Sequence, residues 1–340
     1  MERLGLPVGV SRDLEMVGNH GIAKGTWSTY ATALKMLEKC CEQSGIELIW
    51  PVTEKTILTF VHWLLKVRKV GGSTIEAYLA GIRNAHIVRG WPAPPVRTDL
   101  INLIIRGKKN IQAAEKRVVP TPDRQPITPD ILALLKARLG TWDAPPADKR
   151  GVWAVASVCF HGAFRLGELL CKSESVFDPQ YALLGMDTDI DTSYSENGCK
   201  GVCRIRIKSP KEDKINRSLI VDVFGTGENL CPVKAMAAWR AAGGGGDPEL
   251  PLFRLTNGKL LTPRKFMVVV RSRLRGYLDG VDRSIAGHSF RIGLASMLAA
   301  LGYSEADIKA MGRWSSRAWL EYVKHPRTLR IEVAQTIRRR

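Results

Sequence analysis

The feature that most constrains this chain is an interruption. Between residues 111 and 126 the apolar periodicity of the preceding segments stops, and Lys116, Arg117, Pro120, Pro122 and Pro126 take its place. Proline fixes φ and removes a backbone donor, and a charged stretch with no apolar period has no face to bury. Such a run reads as a linker. A chain of 340 residues is also longer than most single domains. The interruption therefore predicts two domains, residues 21–110 and 127–340. Residues 1–20 show no periodicity and read as a loose N-terminal arm.

The smaller domain carries four helical patterns. Trp27, Tyr30, Leu34 and Leu37 recur at three- and four-residue steps up to Gly45. A second stripe, Ile57, Phe60, Val61 and Leu64, follows Pro51 and Thr53. A third opens at Ser73 with Glu76 three residues on, the spacing of a capping box, and ends at Gly90. The fourth runs from about Thr98 through Leu100, Leu103 and Ile104 to Lys109. Together they predict a helical bundle. Basic residues recur at its helix ends: Lys66, Arg68 and Lys69, then Arg83 and Arg89, then Arg106, Lys108 and Lys109.

The larger domain opens with Thr128 as N-cap and Pro129 in the first helical position. A further helical pattern covers 148–162. In VCRIRIK, Cys203, Ile205 and Ile207 point one way, and Arg204, Arg206 and Lys208 the other, which predicts a strand with one apolar and one cationic face. Residues 209–214 read as a turn, and Arg217–Phe224 as the returning strand. The order helix, hairpin, helices predicts a mostly α or α+β domain with a small antiparallel sheet.

Composition narrows the partners. Hydrophobic residues form 45% of the chain, enough for two cores, and the formal net charge is +18. Such a surface draws polyanions, and charge by itself does not separate nucleic acid from an anionic membrane. No stretch reaches the roughly 18 apolar residues of a membrane span, and the N-terminus lacks the apolar core of a signal peptide. These features predict a soluble, intracellular chain. Seven scattered cysteines fit a reducing compartment. Cys199 and Cys203 lack two further ligands at zinc spacing, so no metal site is expected.

Four short segments carry candidate chemistry. In FRLGELL, Arg165 and Glu168 are three residues apart among apolar neighbours, either a structural ion pair or a guanidinium held rigid to grip a phosphate. In HSFRIG, His288 and Arg291 share a helical face, either a surface pair or an imidazole placed beside an anion-binding guanidinium. Lys211 lies in the hairpin turn. In MGRWSSRAWLEYVK, Gly312 ends a helix and Tyr322 follows two turns into the next. A phenol with a pKa near 10 is a nucleophile only where cations stabilise its anion or a base removes its proton.

The order of these pieces (Arg-x-x-Glu, a hairpin lysine, His-x-x-Arg, a Gly-Arg-Trp turn, then a tyrosine) resembles the tyrosine recombinases, also called the phage integrase family. The likeness spans most of the chain, with residues 21–110 similar to that family's core-binding domain and 127–340 to its catalytic domain. HSFRIG, GRWSS and LCPVKA are most similar to recombinases of eukaryotic mobile elements of the Crypton and DIRS/Ngaro types.

The resemblance implies that Arg165 and Arg291 clamp a scissile DNA phosphate, that His288 assists proton transfer, and that Glu168 supports Arg165. Lys211, or Lys208 in a shifted register, protonates the departing 5′ oxygen. Trp314 donates a hydrogen bond to the phosphate, with Arg313 the competing choice by its interval from Tyr322. Tyr322 attacks to give a 3′-phosphotyrosyl link. The resemblance further implies no metal or cofactor, a double-stranded DNA partner, self-association as a tetramer on two sites, and a nuclear location. Two other functions remain open: a domesticated DNA-binding protein without catalysis, and a type IB topoisomerase.

Overall fold

The computed structural model describes residues 7–22, 24–118, 124–208, 218–277, 284–314 and 320. Lys211 and Tyr322 lie outside the described residues. The chain divides into two compact units, Met1–Thr121 and Pro122–Arg340.

The first unit is helical among its described residues: α1 (Val8–His20), α2 (Lys24–Ser44), α3 (Glu54–Lys66), α4 (Gly72–Val88) and α5 (Asp99–Val118). Its core gathers Leu37 of α2, Ile57, Phe60 and Leu64 of α3, Ile75 and Ile82 of α4, and Ile101 of α5, all fully buried. Thr53 caps α3, its hydroxyl accepting from the amide of Thr56 at 3.3 Å. Gly45 closes α2 at φ 64°, a left-handed turn that glycine adopts without strain.

Three sequence expectations need correction here. Most of the segment read as a loose arm is helix α1. The capping box at Ser73 does not form, because the N-cap of α4 is Gly71, two residues earlier. The orphan amide of Gly72 instead donates to Gln112 Oε1 of α5 (3.1 Å), and Glu76 pairs with Lys109 (2.7 Å). A neighbouring helix with long polar side chains satisfies the N-terminus that a local cap was expected to satisfy. Finally, α5 continues to Val118, through residues assigned to the linker. Those residues include Gln, Ala, Glu, Lys and Arg, which propagate a helix without needing a buried face.

His86 of α4 is fully buried and fastens two loops of this unit. Its Nε2 accepts from the amide of Val52 (3.2 Å), so its Nδ1 carries the hydrogen donated to the carbonyl of Pro92 (2.8 Å).

The second unit holds α6 (Pro129–Gly140), α7 (Pro146–His161), the short α8 (Leu166–Leu169), β1 (Thr188–Glu196), β2 (Cys199–Ile207), β3 (Leu219–Phe224), α9 (Pro232–Ala241), α10 (Pro263–Leu274), α11 (Ser289–Ala300) and α12 (Glu305–Gly312). Helix α7 is the hub: Gly151–Phe160 are buried without a break, the pattern of a helix covered on all sides. It packs against α9, α11 and α6. Thr128 caps α6 as expected, accepting from the amide of Ile131 at 3.3 Å. The strands form one antiparallel sheet in the order β1-β2-β3, and α9 covers its inner face. Cys203, Ile205 and Ile207 of β2 point into that core, as their alternation predicts. Strand β1 was not anticipated. Its sequence, TDIDTSYSE, sits at a sheet edge where little is buried, so it carries no apolar alternation. The architecture is mostly helical with a small three-stranded antiparallel sheet, the fold class read from the sequence.

Candidate active site

The site candidates of the second unit converge on the turn that joins α7 to α8. Gly162 ends α7 and Ala163 adopts φ 47°, a left-handed conformation that non-glycine residues seldom take. A Cβ on Gly162 would collide with the ring of Phe164, so only glycine allows the chain to double back here. The turn leaves the carbonyls of Gly162 and Ala163 facing guanidinium groups brought from elsewhere in the fold.

Arg165 is the N-cap of α8 and Glu168 is its third residue. The Glu168 carboxylate accepts from the Arg165 amide at 2.9 Å and from Arg165 Nη1 at 3.0 Å. The Arg-x-x-Glu spacing is thus a helix-capping spacing as well as an ion pair. Glu168 Oε2 also receives Arg313 Nη2 at 3.1 Å. One carboxylate, its side chain only 7% exposed, therefore joins two arginines more than 140 residues apart in sequence.

Arg313 reaches further. Its Nη1 donates to the carbonyl of Gly162 (2.7 Å) and its Nη2 to that of Ala163 (3.2 Å), while its guanidinium lies 4.8 Å from the Phe164 ring centroid. The Ala163 carbonyl also accepts from Arg291 Nη1. A continuous network thus runs Arg165–Glu168–Arg313–Ala163–Arg291. Arg291 is 1% exposed. Its Nη2 donates to the carbonyl of Gly312 at 2.7 Å, and its guanidinium stacks 4.9 Å from the Trp314 indole. Beneath the group lies Cys159 of α7. Burial pushes its thiol pKa up, Glu168 adds to the rise, and the guanidiniums of Arg291 and Arg313 oppose it.

The end of α12 presents two of these residues. Arg313 sits at φ 54° just past the helix, its amide bonded to the carbonyl of Ala310 and that of Trp314 to Lys309. That is the Schellman pattern, in which glycine is the usual left-handed residue. Glycine stands one position earlier instead, because the Trp314 indole folds back over Gly312, where any Cβ would strike the ring. Trp314 also packs with Ile308, Leu294 and Leu298.

The structure brings together Arg165, Glu168, Arg291, Arg313 and Trp314. His288 is the N-cap of α11, half-buried, one turn before Arg291. Arg291 is the more deeply buried of the two. Lys208 is held elsewhere, paired with the buried Asp187 at 2.8 Å and donating to the carbonyl of Pro179 at 2.9 Å. Arg204 faces Asp189 on β1 and Asp222 on β3 in register and pairs with Asp189 at 2.9 Å; the face expected to be purely cationic is mixed. Arg206 on that face is exposed. In the first unit Lys66, Arg68, Lys69, Arg83 and Arg106 are exposed and Lys108 is half-buried, while Lys109 is engaged by Glu76. Among the described residues no cluster of His, Cys, Asp and Glu is arranged to hold a metal ion, and no helix is long and apolar enough to cross a membrane.

Comparison with solved structures fixes the architecture. XerH site-specific recombinase, in a post-cleavage complex with palindromic difH substrate, superposes with a TM-score of 0.57 at 13% identity, covering 97% of this chain and 85% of that one. The fold is that of the tyrosine recombinases. The Tn1549 transposon integrase bound to transposon right-end DNA gives a TM-score of 0.55 at 13% identity over 92% and 94% of the two chains. The dimer of lambda integrase residues 75–356 on a COC' core site gives 0.50 at 14% identity over 93% and 94%. No family model and no curated protein sequence matches the chain.

Proposed function

We propose that this protein is a site-specific DNA recombinase or integrase that cleaves and rejoins duplex DNA through Tyr322. The observation that carries the proposal is the arginine network: three guanidiniums gathered around Glu168 and the Ala163 carbonyl, in a chain of net charge +18. Arginine is the side chain best suited to grip a phosphate in two places. Attack on phosphorus builds negative charge on the non-bridging oxygens, and preorganised cations stabilise that charge more than the ground state.

In this reading the Tyr322 phenolic oxygen bonds to phosphorus and gives up its proton, and the bond from phosphorus to the 5′ oxygen breaks. Lys211 supplies a proton to that oxygen, since Lys208 is held by Asp187, and His288 assists proton movement. The phosphotyrosyl link conserves the bond, so a 5′-hydroxyl can reverse the step without a nucleotide. The neighbouring structures are complexes of recombinases and integrases with DNA, which supports a DNA partner here. Assembly as a tetramer on two sites, action on a mobile element of the Crypton or DIRS type and a nuclear location are part of the same proposal.

The test is to incubate wild type and Tyr322→Phe with a nicked random-sequence duplex library, denature the protein, and sequence the DNA still attached. Wild type is expected to retain an enriched sequence and the variant none. Equal retention by both would remove Tyr322 from the mechanism. Binding without attachment would indicate a non-catalytic relative, and relaxation of any supercoiled plasmid a topoisomerase.

A further inference from the structure

We propose that Gly312, Arg313 and Trp314 form a clasp over Arg291, and that the protein must open this clasp before Arg291 can touch a DNA phosphate. The inference rests on the recombinase reading and adds to it a resting state.

Arg291 is the residue that reading most needs exposed, yet it is 1% exposed. Its contacts among the described residues include these. The Gly312 carbonyl takes its Nη2 (2.7 Å), the Ala163 carbonyl takes its Nη1, and the Trp314 indole lies against the guanidinium at 4.9 Å. Gly312 ends α12, a helix of eight residues, and Trp314 lies two residues beyond it. Arg313 between them holds a left-handed backbone, φ 54°, that L side chains rarely adopt.

That end is pinned by Arg313, whose guanidinium bonds the carbonyls of Gly162 and Ala163 and the carboxylate of Glu168. The two carbonyls lie on the α7–α8 turn and Glu168 in the helix that follows it. An arriving phosphate competes directly with the Ala163 and Gly312 carbonyls that hold Arg291, because its charged oxygens accept more strongly from a guanidinium than neutral carbonyls do. Phosphate bound to Arg291 replaces the Gly312 carbonyl, and loss of that bond frees the α12 end that carries the indole. Phosphate and the α12 end thus compete for one cation, which is the requirement for a ligand to shift the closed and open populations.

The test uses the full chain labelled with fluorotryptophan, with Trp314→Phe assigning the Trp314 resonance. A short mixed-sequence duplex is titrated to saturation, which anisotropy of the labelled duplex reports independently. The Trp314 resonance is expected to shift and to gain a solvent-isotope effect as the indole meets water. Arg313→Gly removes the pin while leaving a residue at ease at φ 54°, and is expected to show the shifted resonance before DNA is added. A Trp314 resonance unmoved at saturation overturns the clasp, and the wild-type titration alone decides this if the variant does not fold. Covalent attachment through Tyr322 with an unmoved resonance would leave the recombinase reading standing and remove only the clasp; a duplex that does not bind at all would remove both.

Discussion

Replacing Glu168 by glutamine tests the network at its centre. The carboxylate is 7% exposed at its side chain and accepts from the Arg165 amide, Arg165 Nη1 and Arg313 Nη2 at 2.9, 3.0 and 3.1 Å. Removing one partner of a buried ion pair costs about 3–5 kcal/mol, because the other charge is left uncompensated. Two features lower that figure here. The guanidiniums keep some solvent, with side chains 21% and 16% exposed, and the glutamine oxygen still accepts from one of them. Its NH2 group faces the other and repels it. The expected loss is about 2–3 kcal/mol, a drop of roughly 4–12 °C in the melting temperature of the Pro122–Arg340 unit. Scanning calorimetry of the full chain measures it, with the two units treated as separate transitions. Glu174→Gln is the control: its contacts with Lys259 and Lys265, at 3.5 and 3.9 Å, are exposed, and it is expected to cost under about 0.5 kcal/mol. A double cycle with Arg313→Met should show a coupling of at least about 1 kcal/mol. If Glu168→Gln and Glu174→Gln shift melting equally, Glu168 does not organise the site, and the geometric basis of the proposed function is lost.

Other outcomes follow from the same contacts. Burial, helped by Arg89, lowers the pKa of His86 below its usual 6.5, so the fold requires the neutral ring. Its contribution is complete above pH 6.5 and declines as pH falls toward the lower folded value, because the unfolded chain binds the proton first. The Met1–Thr121 unit should therefore melt lower at pH 5 than at pH 7, and His86→Gln should flatten that difference; an unchanged slope refutes the assignment. Gly293→Ala should destabilise the second unit by about 3 kcal/mol or more, since the new Cβ meets the Ile127 backbone carbonyl, which cannot swing away as a side chain can; denaturant titration reads the loss. Cys203, buried with its thiol pushed up to about 12, should resist alkylation in the folded chain while the partly exposed Cys171 and Cys199 react, which mass spectrometry of peptides resolves. DNA affinity should fall steeply with salt, and a flat dependence would argue against a broad phosphate footprint.

The sequence displayed some buried faces and misplaced one: the α5 core residues are Ile101 and Ile105, while Leu100 and Leu103 of the expected stripe are exposed. The stripes at Leu37 and at Ile57–Leu64 became core, and the alternation at Cys203–Ile207 became the central strand. Where an element is held by its neighbours, its own residues were silent. Strand β1 pairs through its backbone at a sheet edge, so TDIDTSYSE needs no apolar face. The amide of Gly72 is capped from α5, so the local Ser73–Glu76 signature pointed to a contact that does not form. Helix α5 persists to Val118 on propensity, which an apolar-period criterion does not register.

The site divides along the same line. Arg-x-x-Glu was legible because three-residue spacing at a helix start lets one carboxylate serve both the amide and the guanidinium of Arg165. His-x-x-Arg was legible as a pair but not in its outcome, since spacing gives the face two residues share and not what will cover it. The acceptors that gather Arg291 and Arg313 are main-chain carbonyls at Gly162, Ala163 and Gly312. A carbonyl belongs to every residue, so composition cannot reveal which ones a turn will aim at a cation. The visible trace was indirect: glycine at 162 and at 312, each required because an aromatic ring two residues later folds back onto its Cα. The Gly-x-aromatic triplet alone does not mark a carbonyl-lined cation seat, since Gly25–Trp27, Gly140–Trp142 and Gly151–Trp153 share it. At Gly162–Phe164 and at Gly312–Trp314 the glycine carbonyl seats a guanidinium, and both seats lie on the one network.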